Sequence, residues 1–395
     1  MVGPMALPSI GITGYDNVHF AVENMARSRA FYLEKFDFQE VARAGADLVA
    51  KSGQEAAVFG AGGVRVCVSS PLTQTSKASR YLRRHPAGIM SLGVSVADLD
   101  KSIAALEARG ATFVADVVED SDGHGIFRAI EIATPLGDVN FRFVERKGYR
   151  KFAPGFEDFG TGHANDPTNR FGISAIDHIT SNGLTMKPIV DWYATTLGFE
   201  QFWDIEFHTQ DVLGKGAAGT GLKSIVMWDP ESGVKFATNE PKRPQFRDSQ
   251  IAKFVDDNQG NGVQHIAFSV TDILSTVEEM NRRGIDFMTT PKSYFDDLPR
   301  RLEELKITNV TQDLKELERL HILLDGGNDK YMLQIFLKEA AVLYGEQKAG
   351  PFFYEIIQRA GDPGFGYGNF SALFRSIERA QKAKDLAQRN PAGAA

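Results

Sequence analysis

Gly88-Ile89-Met90-Ser91-Leu92-Gly93-Val94-Ser95-Val96-Ala97-Asp98 and Gly262-Val263-Gln264-His265-Ile266-Ala267-Phe268-Ser269-Val270-Thr271-Asp272 are two versions of one segment. Each is an apolar run rich in β-branched residues and reads as a strand. Each leads into an amphipathic helix, over residues 99–109 and 273–283, that closes on Arg-Gly. Glycine is the expected stop after a last helical turn. A β-like run follows in both, at 111–114 and 285–288. A second pair lies upstream of these two. Tyr15-Asp16-Asn17-Val18-His19-Phe20 leads to a helix-like stretch at 25–36, and Ala175-Ile176-Asp177-His178-Ile179-Thr180 leads to one at 189–197. Both stretches carry an aromatic pair, Phe31-Tyr32 and Trp192-Tyr193, and both end near a phenylalanine, Phe38 and Phe199.

The chain is thus four copies of a strand–helix–strands module, starting near residues 15, 88, 175 and 262. One such module cannot bury its own sheet. Two side by side make a curved sheet with a concave face, a natural place for a ligand. The expected fold is α+β: four βαβββ modules paired into two domains. The domains run over 1–153 and 171–395, joined by a linker at 154–170 that is rich in Gly, Asp and Asn. The fourth module carries an insertion at 294–321, expected to be partly helical. Leu373, Phe374, Ile377 and Ala380 lie at helical spacing and predict a C-terminal helix over 372–386 that caps the concave face.

Bulk properties narrow the function. The chain has 395 residues, 43% hydrophobic and 24% charged, ordinary for a globular protein of two domains. A net charge of −7 argues against a nucleic-acid surface. The basic run Arg80-Tyr81-Leu82-Arg83-Arg84-His85 reads as a solvated helix face. Cys67 is the single cysteine, so no intramolecular disulfide forms, and its apolar surroundings read as a buried, inert thiol. Residues 1–10 have neither a basic nor an apolar region of signal-peptide type. No apolar stretch reaches membrane-spanning length. The expectation is a cytoplasmic protein without a membrane or nucleic-acid partner.

The repeat also points to a metal site. His178 and His265 both occupy the first strand of a C-terminal module, so both project toward a common centre. A third ligand is expected from the last strand of the fourth module. Glu355 stands there within the apolar run Phe352-Phe353-Tyr354-Glu355-Ile356-Ile357, where a carboxylate is costly to bury without a cation. In the N-terminal half, His19 aligns with His178, Ser91 with His265 and Arg142 with Glu355. That half reads as a copy without a metal site, and His19 as structural. Two imidazoles and a carboxylate form the facial triad of non-haem iron(II) oxygenases, which leaves open coordination positions. Zinc and manganese accept the same donors.

Further segments carry a resemblance: Ile176-Asp177-His178, Asn239-Glu240-Pro241, Ser249-Gln250-Ile251, Gly262-Val263-Gln264-His265, Leu333-Gln334-Ile335-Phe336, Glu355-Ile356-Ile357-Gln358-Arg359 and Gly364-Phe365-Gly366-Tyr367-Gly368-Asn369-Phe370. In this order and spacing the C-terminal half resembles the 4-hydroxyphenylpyruvate dioxygenase family. The N-terminal half matches in its repeat pattern and in Phe143-Val144-Glu145-Arg146. The glycine-rich 364–368 stretch lacks the spacing of a dinucleotide fingerprint. The resemblance makes it the turn into the capping helix.

The resemblance implies the vicinal-oxygen-chelate fold, Fe(II) as cofactor, dioxygen as co-substrate and 4-hydroxyphenylpyruvate as substrate. The implied products are homogentisate and CO2, as in tyrosine and phenylalanine catabolism, from a homodimer or homotetramer. It implies polar substrate contacts from Ser224, Asn239, Gln250, Gln264 and Gln334, and aromatic walls from Phe336, Phe353, Phe365 and Phe370. The nearest rival is 4-hydroxymandelate synthase, which shares substrate and triad but tends to carry a smaller aliphatic residue at the position of Phe336. An extradiol catechol dioxygenase fits the insertion and the C-terminal helix less well. A metal-free binding module fits the three ligand types of the C-terminal half less well.

Overall fold

The computed structural model describes residues 7–159, 169–208, 220–243, 246–366 and 368–369. Its first sheet contains β1 (Ile12–Ala21), β2 (Gln39–Ala44), β3 (Gln54–Ala61), β4 (Val64–Pro71), β5 (Gly88–Val96), β6 (Val118–Ser121), β7 (Ile126–Ile132), β8 (Asn140–Lys147) and β9 (Phe156–Asp158), in the spatial order β6-β7-β8-β5-β1-β4-β3-β2-β9. Its second contains β10 (Ala175–Asn182), β11 (Glu200–His208), β12 (Gly221–Trp228), β13 (Lys235–Lys242), β14 (Gly262–Ser269), β15 (Leu323–Gly327), β16 (Lys330–Phe336) and β17 (Phe353–Ala360), in the order β11-β12-β13-β10-β14-β17-β16-β15. Each sheet is two four-stranded modules set side by side, with β9 added beyond β2 in the first. The first strands of the two modules pair antiparallel at the middle: β1 with β5, and β10 with β14. This is the expected α+β arrangement.

The repeated segments form β5 and β14, nearly all of whose residues are buried. Interior strands covered on both faces need such continuous apolar runs. The helices that follow begin at the repeated aspartates. The Asp98 carboxylate accepts from the Lys101 N–H, and that of Asp272 from the Leu274 and Ser275 N–H groups. These caps satisfy amides that have no partner inside the helix. Ile273, Thr276, Val277 and Met280 then bury one stripe of the helix Ile273–Arg282.

The halves share one core. Phe36 and Phe38 of the first half meet Phe268 of the second edge-on or tilted, and Tyr354 stacks on Phe268 with ring centroids 4.9 Å apart. The Tyr32 and Tyr354 hydroxyls are 2.6 Å apart across the same boundary.

Several sequence expectations need correction. The helix read over 25–36 is α-helical only over Met25–Ala30 and then widens into a π-helical turn, Phe31–Lys35; Tyr193–Leu197 repeats that turn in the third module. The runs at 111–114 and 285–288 make only single bridges, Phe113 to Ile132 and Phe287 to Leu337. The stretch read as a linker begins with β9, which pairs with β2. Within the basic run, Arg80, Arg83 and Arg84 are exposed, but Tyr81 and His85 are buried. The His85 ring lies 2.9 Å from an Asp138 oxygen and 2.7 Å from the Asn258 carbonyl, bridging the halves. The insertion contains the helices Lys292–Glu304 and Leu314–Arg319. Phe370 and the helix expected over 372–386 lie outside the described residues. No helix among the described residues is long and apolar enough to cross a membrane.

Candidate metal centre

Strand register builds the site. His178 on β10 is paired across the sheet with Ala267 on β14, and Ala267 with Glu355 on β17. His265 lies two residues before Ala267 on the middle strand, and therefore on the same face. Three neighbouring strands thus present a triangle of side chains, with the small Ala267 leaving space between them.

The triangle is tight and buried. The Glu355 Oε2 atom lies 3.3 Å from His178 Nε2 and 3.4 Å from His265 Nε2. One ligand atom from each residue falls within 4.8 Å of the others. His178, His265 and Glu355 are only 2%, 4% and 1% exposed. Bonds of about 2.1 Å at right angles would separate neighbouring ligand atoms by about 3 Å, so one cation fits among them.

The far side of each ligand is held. His178 Nδ1 lies 2.9 Å from Asp177 Oδ1, and His265 Nδ1 lies 3.1 Å from Gln264 Oε1. Donation through Nδ1 turns the Nε2 lone pairs toward the centre. Gln334 Nε2 donates to Glu355 Oε1 at 2.8 Å. Asp177 is in turn clamped by Arg359, whose Nε and Nη2 lie 2.6 and 2.7 Å from its two oxygens. Burial alone would raise the Glu355 carboxyl; the two imidazoles override it and hold it at about 2. Burial lowers His265, whereas the charges of Glu355 and Asp177 raise His178 against its own burial.

The sequence-predicted residues divide into two groups. Phe353 stacks on the His265 ring at 4.9 Å, Phe336 meets it edge-on at 6.0 Å, and Phe365 meets the His178 ring at 4.7 Å. With Gln264 and Gln334, these residues surround the triad. Ser224 and Asn239 are paired neighbours on β12 and β13, and Gln250 is the first residue of the helix Gln250–Asp257. Asn239 Nδ2 donates to Asn182 Oδ1 at 2.9 Å. Asn182 is four residues from His178 on β10 and so shares its face. Ser224 Oγ, Asn239 Oδ1, Asn182 Nδ2 and Gln250 Oε1 are buried without a protein partner among the described residues. Buried polar atoms rarely stay unpaired, so this end of the face suits a polar ligand.

Sequence reasoning gave no role to Asp177, Arg359, Asn182 or Asn369. Asn369 Nδ2 donates to Gln334 Oε1 at 2.9 Å, joining the chain after Gly366 to the amide that holds Glu355. Arg359 was findable: it lies four residues after Glu355 on one strand, and hence on the same face.

One alignment was wrong. By register Asn17, not His19, occupies the place of His178, because Val18 matches Ile179 in both its antiparallel and its parallel pairing. His19 matches Thr180. A single offset of 161 already aligns Phe31-Tyr32 with Trp192-Tyr193 and Phe38 with Phe199. Kept through the strand, that offset would have placed Asn17 correctly. The equivalences of Ser91 with His265 and of Arg142 with Glu355 hold.

A profile of the Glyoxalase/Bleomycin resistance protein/Dioxygenase superfamily matches residues 14–143 and 175–298. The 4-hydroxyphenylpyruvate dioxygenase of Caenorhabditis briggsae is 35% identical over 95% of this chain and 93% of its own length. That of Dictyostelium discoideum is 34% identical over 94% of this chain and 99% of its own. Among solved structures, a mutant of 4-hydroxymandelate synthase from Streptomyces coelicolor superposes with a TM-score of 0.77 at 22% identity, over 94% of this chain and 99% of that one, a likeness of fold. On the match to the profile and to these relatives over nearly their whole length, the chain belongs to the 4-hydroxyphenylpyruvate dioxygenase family.

Proposed function

We propose that the chain converts 4-hydroxyphenylpyruvate and dioxygen to homogentisate and CO2, with Fe(II) held by His178, His265 and Glu355. The observation that carries this reading is the buried triangle of two imidazoles and one carboxylate, walled by Phe336, Phe353 and Phe365. Iron(II) in such a triad supplies open positions for a chelating 2-oxo acid and for dioxygen. The substrate carries its own 2-oxo acid, so no separate oxo-acid co-substrate is needed. Its carboxyl leaves as CO2, and the two oxygen atoms end in the new carboxylate and the new ring hydroxyl.

The protein's own residues position and exclude. Phe336 and Phe353 offer edge and face contacts to the substrate ring. Phe365 covers His178 and keeps water from that side. The unpaired atoms of Ser224, Asn239, Asn182 and Gln250 give the polar end of the substrate its donors and acceptors. Phe370 stands in the proposed wall from the family pattern. The sheet of residues 12–158 serves as the metal-free domain, and the part from 171 onward as the catalytic one. The curated relatives favour ring hydroxylation over the benzylic hydroxylation of a mandelate synthase.

The test is incubation with iron(II), oxygen and 4-hydroxyphenylpyruvate, with the products separated by chromatography. Homogentisate as the main product is expected. 4-Hydroxymandelate as the main product, or no turnover with iron bound, would overturn the reading.

A further inference from the structure

The concave face of the first sheet encloses a cleft of about 680 Å³, within the roughly 300–1,000 Å³ common for small-molecule sites. It is the N-terminal counterpart of the face that holds the metal triangle. Arg142, half-buried in this cleft, stands by register where Glu355 stands in the other sheet. The charge at that position is therefore reversed.

Arg142 makes no hydrogen-bonded ion pair among the described residues, although the Glu131 carboxylate feels its charge. The acidic residue opposite it on β7 is Glu131, which instead binds Lys77 Nζ at 2.7 Å. No carboxylate among the described residues pairs with Arg142. Its guanidinium carbon lies 5.5 Å from the centre of the Phe127 ring, a contact that orients the cation without neutralising it. The other polar groups of the cleft are tied to one another. His19 Nε2 lies 2.8 Å from Ser69 Oγ, which also accepts from Gln54 Nε2 at 3.2 Å. Burial, with Lys77 and Arg142 nearby, lowers His19 to about 3 and keeps it neutral. Asp47 and Asp116 lie exposed at the mouth, where water screens them. Leu48, Ala129 and Phe156 supply apolar walls.

From this we infer that the N-terminal cleft is a second, metal-independent ligand site that takes a small organic carboxylate with an apolar body. Its carboxylate pairs with the fork of Arg142, a geometry that guanidinium meets with two parallel hydrogen bonds. Its apolar part lies along Leu48, Ala129 and Phe156. The site does not depend on the dioxygenase reading, because none of its residues belongs to the triad or its walls.

The probe is 4-fluorophenylacetate, followed by fluorine NMR with the full-length, metal-free chain, where the triad offers no cation. Saturable binding is expected. Arg142→Met should weaken it about tenfold or more, and Arg142→Lys, which keeps the charge but loses the fork, should weaken it to a smaller degree. 4-Fluorophenylacetamide, of the same shape without the charge, should bind about tenfold more weakly to the unaltered chain. That comparison stands whether or not Arg142→Met folds. Phe365→Ala should leave probe binding unchanged, and Arg142→Met should leave turnover of 4-hydroxyphenylpyruvate within about twofold. No saturable binding, equal binding of the amide, undiminished binding by Arg142→Met, or loss in Phe365→Ala would each overturn the assignment.

Discussion

The two sheets use the same positions for different ends. Asn17, Ser91, Gly93 and Arg142 stand in the first sheet where His178, His265, Ala267 and Glu355 stand in the second. One element outside the ligand set is kept in both. Asp16 pairs with Arg146 in the first sheet as Asp177 pairs with Arg359 in the second. Both pairs tie the first strand of one module to the last strand of the next. The clamp is therefore a feature of the fold. The second sheet adds a task to it, because Asp177 also touches His178 Nδ1. In the first sheet the Asn17 amide donates to Asp16 Oδ2 at 2.6 Å instead. A Cβ on Gly93 would come within 2.6 Å of the same amide. Glycine there accommodates Asn17, as Ala267 accommodates the triangle.

This contrast can be broken most severely at the ligands. His178→Ala, His265→Ala and Glu355→Ala should each abolish iron binding and turnover, because a site of three protein ligands has none to spare. Asn17→Ala and Ser91→Ala, the register counterparts, should keep both. His19→Ala should likewise leave iron content intact. Loss of iron in any of the N-terminal variants, measured by metal analysis of folded protein, would mean that the halves are not independent.

The clamps give a graded comparison. Arg359→Ala frees Asp177 and removes the orientation of His178. Iron affinity is expected to fall about 10–100-fold, the usual effect of losing a partner behind a metal ligand. Arg146→Ala breaks the equivalent contact without a metal to misplace. It should cost about 1–3 kcal/mol of stability, as when a charged hydrogen bond loses one partner, and leave iron affinity unchanged. A chelator competition beside a thermal melt separates the two effects. Equal loss of iron affinity in both variants would remove the distinction.

The wall of the site gives the smallest and most specific effect. Phe336 is two residues from Gln334 on β16 and directly opposite Glu355 on β17, so all three face the metal position. Phe336→Ile removes part of the wall that fixes the substrate's tilt. It should divert a fraction of product from homogentisate to 4-hydroxymandelate. Turnover should also slow, since misplacement by about 1 Å can cost on the order of a hundredfold. A lowered melting temperature with an unchanged product would show that Phe336 serves only the core.

How much of this was legible in the sequence follows from where each signal lies. Glu355 was readable because it is a lone carboxylate in an apolar strand. His265 was readable because it and His178 both stand on the first strand of a C-terminal module. The module count and the concave face followed from the repeat itself. The register of β1 was not read correctly. His19 lies two residues beyond the true counterpart of His178, on the same face of the strand, so residue type alone does not separate them. The π-helical turns at Phe31–Lys35 and Tyr193–Leu197, each with a buried tyrosine, are too short to leave a mark in hydrophobic periodicity. The link from Asn369 through Gln334 to Glu355 joins side chains distant in sequence, so no local pattern encodes their contact. His85 was read as a surface residue because its neighbours are arginines, whereas its partners Asp138 and Asn258 are distant in sequence.

Counting iron tests the central claim most directly. The claim is that one sheet of the pair holds a single metal, through Glu355 and the two histidines beside it. The full-length chain and its Glu355→Ala variant, each loaded anaerobically with iron(II) and freed of excess, should retain about one iron per chain and none, as a three-ligand site predicts. Iron retained by the folded variant, or two irons in the unaltered chain, would contradict the account.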